Sequence, residues 1–231
     1  MLLAIDTSTT WIGLALFDGV RVLGEMVFHS KNHHTVELSP SVREILDRCG
    51  VKPGDLQALG VATGPGSFTS LRIGLAMVKG MALALRIPVV GVPTLDVLVA
   101  AQTPPALPAR GSELPQQLAA ILQAGRGRLA VVWYDAQNGK WVARGEPQMV
   151  TAEDLVLQFN KPTIVAGELS ADERQVLSRR RKNAVMVSPA QSMRRPSYLA
   201  EIAWERWRSG QVDDVIALAP IYLHVADPIP S

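Results

Sequence analysis

The chain has 231 residues, 48% of them hydrophobic and 19% charged, with a formal net charge of +2. That length can bury a sizeable core, as one large domain or two small lobes, and the composition is that of an ordinary globular protein. A net charge so close to neutrality gives no argument for nucleic-acid or membrane binding by field alone. Cys49 is the single cysteine, so no internal disulfide can form and a reducing compartment is expected; its simplest role is that of a small buried hydrophobe. The N-terminus carries no basic leader, and Asp6 interrupts the first apolar run. The expectation is a cytoplasmic protein with no signal peptide, no membrane span and no membrane partner.

Leu2 to Ile5 reads as a buried strand ending in the polar cluster Asp6-Thr7-Ser8-Thr9-Thr10. Trp11 to Phe17 reads as a second strand, Asp18-Gly19 as a hairpin turn, and Val20 to Phe28 as a third strand. From Thr35 to Cys49 the apolar residues Val36, Leu38, Val42, Ile45 and Leu46 fall at helical spacing. Pro40 sits in or bends the first turns, and Gly50 stops the helix. Lys52 to Asp55 is a turn, and Leu59 to Ala62 a central strand. Val89 to Val92 is a fifth short strand, followed by a helix near Leu95 to Ala101. The prolines at 104, 105, 108 and 115 mark a loop or linker. Leu118 to Leu122 and Leu129 to Tyr134 then read as strands, with Asn138-Gly139 as a hairpin signal into Trp141 to Ala143. Thr151, with Asp154 three residues on, caps a short helix to Phe159. Thr163 to Ala166 and Val185 to Val187 read as strands around an arginine-rich helix. Pro196 to Arg208 is an amphipathic helix, and the remainder is mostly extended.

Between the central and fifth strands lies the most informative stretch, Gly64-Pro65-Gly66-Ser67-Phe68-Thr69-Ser70-Leu71-Arg72-Ile73-Gly74-Leu75. Gly64 and Gly66 let the backbone turn sharply at little steric cost, and Ser67, Thr69 or Ser70 can cap a helix running to about Leu85. Leu71, Leu75, Val78, Ala82 and Leu85 share one stripe of that helix, while Gly74, Met77, Met81 and Ala84 share another. Only Arg72 and Lys79 are charged. A helix apolar on nearly every side must be covered on more than one side, either by its own chain as a core helix or by its own sheet and another subunit. No Gly-Lys-Ser/Thr ending follows the glycines, so a phosphate cradle is disfavoured.

This stretch, with Leu3-Ala4-Ile5-Asp6-Thr7-Ser8, resembles the TsaB (YeaZ) family of bacterial tRNA threonylcarbamoyladenosine biosynthesis proteins. The likeness covers the chain to about Ala101 and extends loosely over the rest. It implies an α/β protein of the actin-like ATPase fold (ASKHA, ribonuclease H-like) with two lobes. Residues 1–102 would form the lobe carrying the partner-binding helices, and 103–231 a smaller, divergent lobe. In that superfamily, two Asp-x-Gly-x-Thr loops hold nucleotide phosphates and metal. The first loop here keeps Asp6 and Thr10 around Thr7 but has Ser8 for the glycine. The second, near Gln123 to Gly127, has an amide for the acid, and Gln123 and Gly125 also depart from the family's Asp-Ala-Arg. An amide cannot supply the anionic charge that a magnesium–phosphate centre needs, so Asp6 is expected to brace the strand end. The metal-binding histidine pair of TsaD, the family's catalytic relative, falls on Thr94 and Leu98 here, and leucine has no donor atom.

His29, His33 and His34 lack the further ligands a structural zinc site needs, which favours surface or capping roles. Arg179 to Lys182 and Arg194-Arg195 read as solvated basic faces, with contact to the tRNA backbone as the sharper alternative. Trp204 and Trp207 read as core. The resemblance implies a non-catalytic scaffold subunit, with no cofactor of its own and weak ATP or ADP binding left open. It would bind TsaD through the helices around Thr35–Cys49 and Ser70–Leu85, with His34, Leu38, Val42, Phe68, Leu71, Arg72, Ile73, Gly74, Met77, Val78 and Met81 at the interface. It further implies TsaE as a third component, a homodimer when the chain is alone, and tRNA contact only through the complex. The rival reading is an autonomous actin-like small-molecule kinase or hydrolase.

Overall fold

The protein is described by a computed structural model over residues 1–31, 33–105, 114–125, 127–179 and 183–223. It divides into two compact units, Met1–Val97 with Arg194–Ile221, and Leu98–Met193 with Tyr222–Ser231.

Unit 1 is a five-stranded sheet in the order β3-β2-β1-β4-β5, built from β1 (Leu2–Asp6), β2 (Trp11–Phe17), β3 (Val22–His29), β4 (Ala58–Ala62) and β5 (Val89–Val92). The first three strands are antiparallel, and β4 and β5 run parallel to β1. Residues 1–5 are apolar without alternation because both faces are covered. Leu3 and Ile5 point into one core with Val42 and Ile45 of α1 (His34–Arg48) and Leu75 and Val78 of α2 (Phe68–Leu85). Leu2 and Ala4 point into a second core with Leu199, Ala200 and Ala203 of α6 (Pro196–Arg208). Small residues set that second approach: a Cβ added to Gly60 of β4 would lie 2.8 Å from the Ala203 Cβ. Trp204 packs edge-on against Phe17 and Trp207, so both tryptophans serve the core. The third strand begins two residues later than the sequence suggests, because the Asp18 carboxylate accepts from the backbone N–H groups of Val20 and Arg21 and holds them in the turn.

The sequence-based division put all of 103–231 in the second lobe. The chain instead returns to unit 1 at Arg194. Its α6 covers the sheet face that α1 and α2 leave open, and the segment beyond it bridges Val89 at Asp213. That bridge also covers the free edge of β5.

Unit 1 reaches its boundary within α3 (Thr94–Ala100). Unit 2 holds a six-stranded sheet with the path β11-β10-β6-β7-β8 and β9 paired to β7. Its elements are β6 (Gln117–Gln123), β7 (Leu129–Gln137), β8 (Lys140–Ala143), β9 (Gln148–Val150), α4 (Ala152–Gln158), β10 (Thr163–Gly167), α5 (Ala171–Ser178) and β11 (Ala184–Met186). Apart from the added β9, three antiparallel strands, a helix, a parallel strand, a helix and a parallel strand repeat the order of unit 1. The two units therefore share one topology with no sequence repeat. Ile121, Leu155, Phe159, Val165 and Leu177 form the core of unit 2. Thr151 and Ser170 cap α4 and α5 through their side chains. The three-residue β9, too short for an alternation signal, is absent from the sequence reading. Most of the 103–115 linker, Arg126, and Arg180 to Lys182 of the basic cluster lie outside the described residues.

Candidate functional site

The first loop, at the end of β1, is turned inward. Asp6, Thr7, Ser8 and Thr9 are all buried, and only Thr10 is exposed. The Ser8 N–H donates to Asp6 Oδ1 at 2.8 Å, and Arg194 Nε donates to Asp6 Oδ2 at 2.9 Å. Arg194 Nη2 donates to Thr9 Oγ1 at 3.0 Å. The Thr7 hydroxyl donates to the Ser70 carbonyl at 2.7 Å, and the Ser8 and Thr94 hydroxyls share a hydrogen at 2.8 Å. Thr94 Oγ1 in turn accepts from the Gly64 N–H. Burial pushes the Asp6 carboxyl up, but the Arg194 charge and the hydrogen bonds from Ser8 and Arg194 outweigh it and leave the group below the ordinary aspartate value. The expected bracing role of Asp6 has a partner the sequence reading missed. Arg194 and Arg195 read as one surface patch, yet the Arg194 side chain is 3% exposed and that of Arg195, paired with Glu25, is 54% exposed.

Gly66 of the next loop admits this packing. A Cβ on Gly66 would stand 2.2 Å from the Ser8 carbonyl oxygen, to which the Ser67 N–H donates at 2.6 Å. Ser67 is the N-cap of α2, accepting from the Ser70 N–H. In unit 2, Gln123 at the end of β6 donates to Glu173 Oε2 at 3.0 Å, and the same oxygen closes the α5 capping box by accepting from the Ser170 N–H. Of the positions matched to the TsaD histidines, Thr94 is tied to the first loop and Leu98 is buried. Among the described residues, no three His, Cys, Asp or Glu side chains are grouped to hold a metal. His29 stacks edge-on against Trp11 at 5.3 Å, and the His34 Nδ1 lies 3.4 Å from the Ser30 hydroxyl.

The second feature is the outer face of α2. The stripe Leu71, Gly74, Leu75, Val78 and Ala82 is buried on the sheet. Phe68, Arg72, Ala76, Gly80, Leu83 and Ala84 are exposed, and Ile73, Met77 and Met81 are half-buried. The Arg72 guanidinium lies 3.8 Å over the Phe68 ring. Between α1 and α2 runs a groove of about 530 Å³ lined by Ser39, Val42, Met77, Met81, Ala84 and Leu85. The proposed interface set is thereby revised. His34, Leu38, Val42, Leu71, Gly74 and Val78 are buried by their own unit, so they shape the face without presenting it, apart from the Val42 contribution to the groove. Periodicity revealed two stripes but not which one the sheet would take. By length and composition alone α2 is apolar enough to cross a membrane, a test that core helices also pass, and 33% of it is buried inside the protein.

Two glycines of α2 are expected to respond to alanine with opposite signs. A Gly74 Cβ would stand 2.2 Å from Thr7 Oγ1, whereas nothing lies within 4 Å of a Gly80 Cβ. Gly74→Ala should therefore lower stability by about 1–3 kcal/mol, despite its better helix propensity, and Gly80→Ala should raise it by up to about 1 kcal/mol. Urea unfolding of both variants measures the difference.

Two matching α/β units define a protein of the actin-like ATPase fold class. Component A of (R)-2-hydroxyglutaryl-CoA dehydratase from Acidaminococcus fermentans shares that fold, with a TM-score of 0.50 at 12% identity over 89% of this chain and 98% of that one. YeaZ from Pseudomonas aeruginosa matches with a TM-score of 0.76 at 26% identity, over 96% of this chain and 99% of that chain. A family model described as TsaD, tRNA N6-adenosine threonylcarbamoyltransferase, matches residues 21–191. The tRNA threonylcarbamoyladenosine biosynthesis protein TsaB of Bacillus subtilis (strain 168) is 30% identical over 230 residues, 98% of this chain and 95% of that protein. Its namesake in Escherichia coli (strain K12) is 33% identical over 144 residues, 61% of this chain and 58% of that protein. The chain belongs to the TsaB (YeaZ) family of tRNA threonylcarbamoyladenosine biosynthesis proteins.

Proposed function

We propose that the chain is a non-catalytic scaffold subunit in tRNA threonylcarbamoyladenosine formation, acting in the cytoplasm by binding and stabilising TsaD. The observation that carries this reading is the outer face of α2. It presents Phe68, Ala76, Gly80, Leu83 and Ala84 to solvent beside the α1–α2 groove. An exposed helix face rich in apolar and small residues, interrupted by Arg72, supports a protein-binding role. The exposed glycine and alanines would let a partner helix come close. In the absence of TsaD the same face would pair with a second copy, TsaE would join the pair, and tRNA would be met through the complex. The inward-turned first loop and Gln123 in the second support a non-catalytic role, with adenine nucleotide bound weakly if at all.

Gly80→Arg tests this reading cleanly, because the site is open and the substitution favours the helix. It should leave circular dichroism unchanged and melting no lower than wild type, and co-purification with TsaD should fall at least about tenfold, a loss of about 1.4 kcal/mol or more in binding. Met77→Asp should act in the same direction. Undiminished binding by both variants would remove the α2 face from the interface. ATP or peptide turnover by the purified chain, lost in Thr10→Ala with folding intact, would instead establish the kinase or hydrolase reading.

A further inference from the structure

The actin-like fold implies a divalent cation with nucleotide at the first loop, and the residues present do not fit one. Asp6 is the only acid between Met1 and Thr10, and both of its oxygens already accept from protein donors, Oδ1 from the Ser8 N–H and Oδ2 from Arg194 Nε. Magnesium requires near-octahedral oxygen coordination at about 2.0–2.1 Å, usually keeping several waters. The loop is buried, and the hydroxyls of Thr7, Ser8 and Thr9 are engaged by Ser70, Thr94 and Arg194.

We propose that Arg194 is the resident cation of this loop: its guanidinium takes the position from which a metal would compensate Asp6, cancels that charge, and removes the cation subsite from the chain. Both side chains are nearly fully buried, 3% exposed for Arg194 and 4% for Asp6. Arginine suits the task because its planar fork stays charged and can donate to two acceptors at once, here a carboxylate and the Thr9 hydroxyl. A dication approaching Asp6 would meet a fixed positive charge within a few ångströms, where little water screens it. The pair as a whole is neutral, so it offers no attraction to phosphate either. Any adenine nucleotide bound by this chain is therefore bound without a metal at Asp6. This conclusion stands on the ion pair itself and does not depend on the scaffold reading.

The test uses the full-length chain and five variants: Arg194→Ala, Arg194→Met, Asp6→Asn and the doubles Asp6→Asn/Arg194→Ala and Asp6→Asn/Arg194→Met. Manganese binding, followed by electron paramagnetic resonance, should be the same in wild type and Asp6→Asn. A wild-type manganese site that Asp6→Asn abolishes overturns the proposal. Millimolar methylguanidinium, a probe shaped like the missing head group, should raise the melting temperature of Arg194→Ala by about 2–4 °C through mass action. It should raise neither wild type nor Asp6→Asn/Arg194→Ala. Equal shifts in all three, or none in Arg194→Ala, count against it. Should Arg194→Ala not fold, the neutral pair Asp6→Asn/Arg194→Met decides. Its melting above that of Arg194→Met alone supports a charge-compensating role, and melting at or below it refutes one.

Discussion

Asp6→Ala is expected to destabilise unit 1 by about 3–5 kcal/mol, the range for removing one partner of a buried ion pair. The loss arises from stranding the Arg194 guanidinium, which is 3% exposed and keeps only its Thr9 contact among the two hydrogen bonds described above. The neighbouring pair calibrates the effect. Arg195 and Glu25 have the same chemistry, but the arginine is 54% exposed, so Glu25→Gln should cost no more than about 1 kcal/mol. Urea midpoints of the two variants should therefore differ clearly. The pH dependence follows from the same pair. The folded Asp6 carboxyl titrates below its ordinary value, so the unfolded chain binds a proton first as the solution is acidified. The stabilisation is complete above the ordinary aspartate range near about 3.9 and is lost as pH falls from there through the folded value. Asp6→Asn should flatten that part of the acid-unfolding profile. A profile unchanged by Asp6→Asn would mean that the pair does not contribute in solution.

Phe159→Ala is expected to cost unit 2 about 3–5 kcal/mol, as large-to-small changes in a packed core do. Phe159 ends α4 at 2% exposure, edge-on to Trp133 with ring centroids 5.9 Å apart, inside the cluster of Leu155, Val165 and Leu177. Leu157, two residues earlier, is 64% exposed, and its replacement by alanine should stay within about 0.5 kcal/mol. Denaturant unfolding of the pair, followed by tryptophan fluorescence and circular dichroism, checks the contrast. Equal midpoints would contradict the placement of Phe159 in the core.

Local signals in this sequence were strong wherever chemistry acts over a few residues. Ser67, one of three candidates, and Thr151 cap helices by accepting from the backbone N–H three residues on, a relation visible in the linear order, and Ser170 does the same for α5 without having been singled out. Asn138-Gly139 turns β7 into β8, with both residues at positive φ. The glycines at 66 and 74 stood out, and the structure supplies their reason in the approach of the first loop. What stayed hidden depends on partners far apart in the chain. Arg194 and Arg195 are adjacent and identical, and only the meeting with Asp6, 188 residues away, separates a buried counter-ion from a surface charge. The assignment of α6 to the second lobe failed for the same reason. Its apolar face is plain in the sequence, but nothing local says that it belongs against Ala4, Ala15 and Gly60. The stripe of α2 that faces outward was likewise undetermined until the sheet claimed the other.

Unit 1 is made from two segments almost a hundred residues apart, and this has a consequence during synthesis. When residues 1–97 leave the ribosome, the sheet face carrying Leu2, Ala4, Phe17 and Val90 has no cover, because α6 is almost a hundred residues from being made. Unit 2, contiguous but for its last residues, can complete itself in the interval, while the first half waits as an open-faced nascent fold of the sort that chaperones attend. Termination between Val97 and Arg194 would leave that face bare, giving an aggregation-prone fragment instead of a shorter working protein.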